Sequence, residues 1–222
     1  MINDSFDVEL FYKNPDPWHV QRRSAKNKRR ESVLQNLSAL YQDKNVLELG
    51  CGEGHLSQIL APVCRTLTGI DISKTAIARA REREIPNATF VVGSMIEPAL
   101  YRGFDVVVLV EAIYYLSPED QSIVLSAIRN LAATLLISAP VIGADEHRKY
   151  YTRQALVELL TSHGFRIEQE RAISLHAKGG SMERLAIRAF KLLYFLLPAA
   201  VMDPIHDALP ERWSYQILFV CR

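Results

Sequence analysis

Val46-Leu47-Glu48-Leu49-Gly50-Cys51-Gly52-Glu53-Gly54-His55-Leu56 decides how the rest of the chain is read. Val46, Leu47 and Leu49 predict a short buried parallel strand. Gly50, Gly52 and Gly54 then stand where backbone must bend sharply or lie against a ligand. Leu56, Ile59 and Leu60 at helical spacing predict a helix that begins at once, and Pro62 stops it after about two turns. Strand, glycine turn and helix start make a nucleotide-type site, because missing side chains let a ligand reach backbone N–H groups. Two cofactor classes compete for such a turn. A dinucleotide fold would show GxGxxG, but His55 stands where its third glycine belongs, and the match is GxGxG.

Preceded by Glu48, the run ELGCGEG resembles the first motif of the class I S-adenosylmethionine (SAM)-dependent methyltransferases. The resemblance implies an α/β, Rossmann-like fold: a seven-stranded, mostly parallel sheet with its last strand antiparallel and helices on both faces. It also implies SAM as cofactor, S-adenosylhomocysteine as product, and Glu48, Gly50, Cys51, Gly52 and Gly54 as cofactor contacts.

Further strand tips follow the same logic. Thr66 to Asp71 reads as a second strand whose final acid comes 21 residues after Gly50. An acid there is where a Rossmann-like fold accepts hydrogen bonds from ribose hydroxyls; a plain surface carboxylate is the competing reading. Ser73 is the expected cap of the next helix, with Ile72 and Ile77 as a hydrophobic staple. Ile72 is also an apolar neighbour for the ribose or adenine. Residues 88 to 92 form a third strand ending at Gly93-Ser94-Met95. Many methyltransferases have Gly-Asp and an apolar residue at this point, so the resemblance places Ser94 and Met95 at the adenine although the acid is missing. Phe104 to Val110 is dense enough in β-branched residues for a central strand, and Glu111 follows it. In the family this acid lies near the transferable methyl and the acceptor.

Before the glycine turn lies an arm, residues 1 to 45. Asn14-Pro15-Asp16-Pro17-Trp18 is a turn cluster. A helix is expected from Ser24 to about Tyr41, with Val33, Leu34, Leu37, Leu40 and Tyr41 inward. Between Arg22 and Arg30 stand six basic residues and no acid. Cations near a helix N-terminus oppose its macrodipole, so either this is a solvated face or something negative offsets them. FYKNPDPW, a basic helix and then the glycine motif resemble the nodulation-type N-methyltransferases, which methylate an amino sugar of a chitooligosaccharide. By that resemblance, covering residues 5 to about 115, Trp18, Arg23 and Arg29 are cofactor contacts.

In the far half, Ser117-Pro118-Glu119-Asp120 is a helix start, with Ile123, Ala127, Ile128 and Leu131 expected on the buried face. Residues 133 to 139 read as the fifth strand, and the loop after it carries His147, Tyr150 and Tyr151 as candidates for acceptor contact. Phe165 to Ser174 and Trp213 to Cys221 alternate as a closing pair. Between them residues 175 to 212 are an insertion carrying a helix from about Ser181 to Leu197. Substrate lid, dimer contact, membrane-surface helix and extra core compete for it. Lid or homodimer contact through 181 to 202 is favoured, because the segment is too apolar to be solvated.

Composition bounds the rest. A chain of 222 residues, net charge +1 and 49% apolar content suits one globular domain, residues 46 to 174 being its core and 213 to 222 its last strand. Cys51, Cys64 and Cys221 lack metal spacing and suit reduced thiols in the cytoplasm. Uncharged runs fall short of the ~18 residues of a spanning helix. The histidines are dispersed, so no metal is expected. The expected reaction transfers the SAM methyl to a nitrogen or oxygen of a small-molecule acceptor, with Glu111, His147 or His19 as the base an oxygen would need. Nucleic acid is not the expected partner: Glu111-Ala112-Ile113-Tyr114 lacks the Asn/Asp-Pro-Pro-aromatic signature of DNA amino-methyltransferases, although the Arg22 to Arg30 patch leaves RNA open. A nicotinamide-dependent oxidoreductase and a non-catalytic SAM-fold partner protein are the rivals.

Overall fold

The computed structural model describes residues 7–131, 133–141, 151–175, 180–209 and 213–222. The arm contributes α1 (Val8–Phe11) and α2 (Ala25–Asn36). Then come β1 (Asn45–Leu49), α3 (Ser57–Leu60), β2 (Thr66–Asp71), α4 (Lys74–Arg81), β3 (Ala88–Val92) and β4 (Val106–Val110). The far half holds α5 (Pro118–Asn130), β5 (Thr134–Pro140), α6 (Arg153–Ser162), β6 (Ile167–Leu175), α7 (Ser181–Leu196), α8 (Ala199–Asp207) and β7 (Ser214–Cys221).

The strands form one seven-stranded sheet in the order β3-β2-β1-β4-β5-β7-β6. Neighbours from β3 to β5 pair in parallel, and β7 runs antiparallel to both β5 and β6, the expected closing pair. Strand order reverses between β1 and β4, and in open α/β sheets the crevice beyond the strand ends at such a point receives ligands.

Side-chain alternation along the strands builds a core on each face of the sheet. Leu47, Leu49, Val107 and Leu109 join Val124, Leu125 and Ile128 of α5 on one side. Val46, Val106 and Val108 join Val33 and Leu34 of α2 on the other. Glu48 shares the second face with Val46, which is why its carboxylate meets α3, where Ser57 Oγ donates to it at 2.5 Å.

Several boundaries depart from the sequence reading. The arm helix ends at Asn36, and a 3₁₀ turn over Ser38–Leu40 carries the chain on to Tyr41. The helix after the glycine turn is a single turn, Ser57–Leu60. In α5 the buried face is Gln121, Val124, Leu125 and Ile128, while Ile123 is 44% exposed. Ser73 caps α4 as expected, its hydroxyl accepting from the Ala76 amide at 3.0 Å, with Ile77 buried and Ile72 44% exposed.

Among its described residues the insertion holds two helices, not one. Pro198, which has no N–H to continue α7, sits at the cap of α8. Both helices pack against α2, and α8 also against β6. Lys28 donates to the Tyr194 carbonyl at 3.1 Å and to the Leu197 carbonyl, satisfying acceptors at the end of α7. Arg29, 1% exposed, pairs with Asp203 at 2.7 Å and with Asp207, and donates from Nε to the Ala172 carbonyl of β6 at 3.1 Å. Asp203 also accepts from Ser32 at 2.5 Å and from Tyr194.

Removing one partner of a buried ion pair leaves an uncompensated charge, so Asp203→Ala should destabilise the protein substantially. Asp207 stays as a second acid, which puts the expected loss at the lower end of the range for such pairs, about 3 kcal/mol. Urea unfolding of both proteins measures it; a difference within error would show that the ion pair does not hold the insertion.

Candidate active site

The strand tips converge as the topology requires. Gly50 and Cys51 donate their amides to the Ile70 carbonyl at 2.8 and 3.0 Å, which draws the glycine turn against β2. Gly50 has φ +72°, and a Cβ there would lie 2.7 Å from the Ala112 side chain. Gly52 has φ +53°, and its Cβ would meet the Tyr12 hydroxyl at 2.8 Å. Neither position accepts a side chain without displacing its neighbour.

Asp71 at the tip of β2 accepts from the Gly52 amide at 2.8 Å and from the Ser73 amide at 2.9 Å. Burial raises its pKa, and those amides oppose the rise. Glu111 leaves β4 with φ +59°, a left-handed conformation rare for a residue with a side chain and of the kind that clusters at functional sites. Ser138 Oγ donates to its carboxylate at 2.7 Å, and Gln216 of β7 bonds it as well. Burial pushes the Glu111 pKa up, while Lys26 and Arg30 pull the other way.

A cavity of about 300 Å³ joins these groups. Glu48, Gly50, Cys51, Gly52, Asp71 and Ile72 border it, with Ser94, Met95 and Glu111 further round and Trp18 from the arm. The arm is pinned over the opening by polar bonds. Glu9 accepts from the Lys74 amide at 2.7 Å and from the Ser73 hydroxyl at 3.2 Å, at the start of α4. Glu53 accepts from the Asp16 amide at 2.9 Å and pairs with Arg79 at 2.7 Å. Trp18 stacks on Phe11 with ring centroids 5.2 Å apart and lies tilted over Tyr115 at 6.1 Å.

Four nominated residues stand elsewhere. Gly54 is outside the cavity lining: its missing Cβ faces Phe90 and Ala80, so it serves the turn. Arg23 is exposed and does not border the cavity. Arg29 points its guanidinium to Asp203 and Asp207, away from the strand tips. His19 is exposed, with its carbonyl accepting from the Asn27 side chain at 2.8 Å. His147 and Tyr150 lie outside the described residues.

The arm's contribution comes instead from Lys26 and Arg30, one helical turn apart, which both line the cavity. Burial lowers the pKa of each, and the Glu111 charge opposes that. Arg30 is 7% exposed and its Nε has no hydrogen-bond partner among the described residues. Their signal was present in the sequence: Arg30 lies four residues before the inward Leu34, and Lys26 four before Arg30. Tyr12 and Gln216, 5% and 1% exposed, also line the cavity and carried no comparable signal.

Among the described residues one group, Asp16, Glu53 and His55, has the spacing to hold a metal ion. It is already satisfied without one, since Arg79 pairs with Glu53 and Arg83 contacts His55 Nδ1 at 2.7 Å. Burial and Arg83 lower the His55 pKa. No helix among the described residues is long and apolar enough to cross a membrane.

A model of the Nodulation protein S (NodS) family matches residues 6–150. Nodulation protein S of Sinorhizobium fredii (strain NBRC 101917 / NGR234) is 32% identical over 129 residues, 57% of this chain and 59% of that protein. A probable S-adenosylmethionine-dependent methyltransferase of Mycolicibacterium smegmatis is 31% identical over 154 residues, 64% of this chain and 59% of its own length. The chain thus spans little more than half the length of these relatives. In fold, the chain is similar to the crystal structure of N-methyltransferase NodS from Bradyrhizobium japonicum WM9 in complex with S-adenosyl-L-homocysteine. The TM-score is 0.66 at 19% identity, covering 96% of this chain and 94% of that one.

Burial raises the Glu48 pKa from 4.5 to about 7, against the Ser57 hydrogen bond. Between those values the folded state binds more protons than the unfolded one, so this group's contribution to stability declines as pH rises through the window. Glu48→Gln keeps an acceptor for Ser57 and removes the titration. Relative to wild type, its stability should be nearly unchanged at pH 4 and greater at pH 8 by on the order of 3 kcal/mol. Parallel pH profiles in thermal melts would refute the assignment.

Proposed function

The chain belongs to the Nodulation protein S family, and from that premise we propose that it transfers the methyl group of SAM to a nitrogen of a small amino sugar or glycan. One observation carries the reading: Glu48, the Gly50–Gly52 turn, Asp71, the Gly93–Met95 turn and Glu111 border a single cavity at the reversal of strand order. Its volume of about 300 Å³ is at the lower end of what small-molecule sites enclose.

The residues present fit this cofactor. Asp71 has acceptor capacity beyond its two amide bonds for ribose hydroxyls. Met95 packs on adenine beside Ser94. Lys26 and Arg30 hold the methionyl carboxylate, and the unpartnered Arg30 Nε is a donor waiting for such a group. Bound SAM supplies a methyl already activated by its sulfonium.

The remaining task is orientation, which can contribute ~7–11 kcal/mol of the barrier. Glu111, fixed by Ser138 and Gln216, directs the acceptor amine and takes up its proton. Trp18, Tyr114 and Tyr115 line the way in, where flat aromatic faces suit a sugar ring. Nitrogen is favoured over oxygen because an amine needs only a neutral lone pair. The buried, unbridged Cys51, Cys64 and Cys221 support a reducing compartment, the cytoplasm, as the place of the reaction.

Incubation with labelled SAM and glucosamine oligomers, read as mass gain and label transfer, tests the reading. NADH binding with indifference to SAM would overturn it. Within it, Arg30→Ala should weaken SAM binding by about 1–3 kcal/mol, whereas Arg23→Ala should not. Glu111→Gln should keep SAM affinity and lower kcat by about a hundredfold or more. Calorimetry and initial rates measure both; equal affinity for Arg30→Ala and wild type would return the carboxylate to another residue.

A further inference from the structure

Helix α7 lies beyond the residues that the family model matches, and it presents three distinct faces. At about 100° per residue, Ile187, Phe190 and Tyr194 fall on one arc, the one packed against the protein, with Ile187 and Tyr194 buried. Met182, Leu185, Leu192, Leu193 and Leu196 fall on a second arc and are between 49% and 84% exposed. Arg184, Arg188 and Lys191 form a third, which runs between the packed arc and the apolar arc, with Phe195, 42% exposed, among them.

That apolar arc does not cover the active site, since no described residue of α7 or α8 lines the cavity; the expectation of a lid fails there. Nor is it extra core, given its exposure. The insertion is held firmly by Lys28, Arg29 and Ser32 of α2, so the outward strip is presented by a fixed helix.

We infer that α7 is an interfacial helix that seats this protein on an anionic lipid bilayer, with the leucine strip in the acyl boundary and the Arg184–Arg188–Lys191 stripe at the headgroups. The charges favour this occupant. An amphipathic helix with a wide apolar face and a basic edge binds such a surface by both means at once. Among the described acids of the insertion, Asp203 and Asp207 are engaged by Arg29, and Glu183 falls on the packed arc. A second copy of the chain packed on this strip would bring its own basic stripe, while the acid of α7, Glu183, stays on the packed arc. With 16 residues, α7 can lie in the interface but cannot cross it.

Co-sedimentation of the full chain with phosphatidylcholine vesicles, with and without phosphatidylglycerol, tests this. The protein should pellet with the anionic vesicles and be released by salt. Arg188→Gln/Lys191→Gln should lower the partition coefficient on anionic vesicles roughly tenfold or more. Leu192→Gln/Leu196→Gln should abolish binding with no loss of melting temperature, because both side chains are exposed. If that variant melts early, the Arg188→Gln/Lys191→Gln result decides. Failure to pellet with anionic vesicles would overturn the inference. So would a wild-type dimer in light scattering that Leu192→Gln/Leu196→Gln dissociates.

Discussion

A guanidinium with almost no solvent contact must be matched by negative charge, and in this protein the match sets the position of a helix. Arg29 lies between α2, β6 and α8, with its charge answered by Asp203 and Asp207 and its Nε by a strand carbonyl. A rotation of α2 about its axis would break these contacts together and expose Val33 and Leu34. With Arg29 committed to the insertion, Lys26 and Arg30 are turned over the tips of β1 and β4. The helices of the insertion therefore contribute to the site without lining it, by holding the phase of the helix that does.

Charge within the cavity follows from the same geometry. Glu48, Asp71 and Glu111 are each driven toward the neutral form by burial, and each is partly restored by a hydroxyl, an amide or a cation. Lys26 and Arg30 feel the reciprocal effect. Such a site is poised to gain from a ligand that brings both signs of charge, because every group in it is short of the hydration it had in the unfolded chain. A zwitterionic, sulfonium-bearing cofactor has that character. The left-handed backbone at Glu111 belongs to the same economy: it aims a carboxylate into the crevice while Ser138 and Gln216 keep it there.

How much of this was legible depended on whether the signal was local. The glycine turn, Asp71, the Gly93 turn and Glu111 were readable because each follows a strand whose apolar run marks its end, and strand ends in a parallel sheet all face one crevice. Trp18 was reached by family resemblance, and it does border the cavity. Arg29 was chosen from the same basic run as Arg30, one residue and about 100° of helix away. Composition could not separate the two, because the acids that claim Arg29 come from a helix more than 170 residues downstream. Gly54 belongs to the same turn, but a Cβ there would meet Phe90 and Ala80 and not the ligand space, and motif spacing does not say which way each glycine opens. Gln216 sits in an alternating strand, and only the pairing of β7 with β5 brings it beside Glu111.

Residue pattern alone was enough for the strand, glycine-turn and helix framework, the alternating strands of the closing pair and the presence of a helical insertion before the last strand. These rest on hydrophobic periodicity, on proline and on glycine, which act within a few residues of themselves. Tertiary structure alone decided which cation faces the cavity, that the insertion buttresses α2 instead of covering the site, and which face of α7 is left outward. Those outcomes depend on where buried charges find partners and which apolar faces find cover. Both are settled only when segments far apart in the chain pack together.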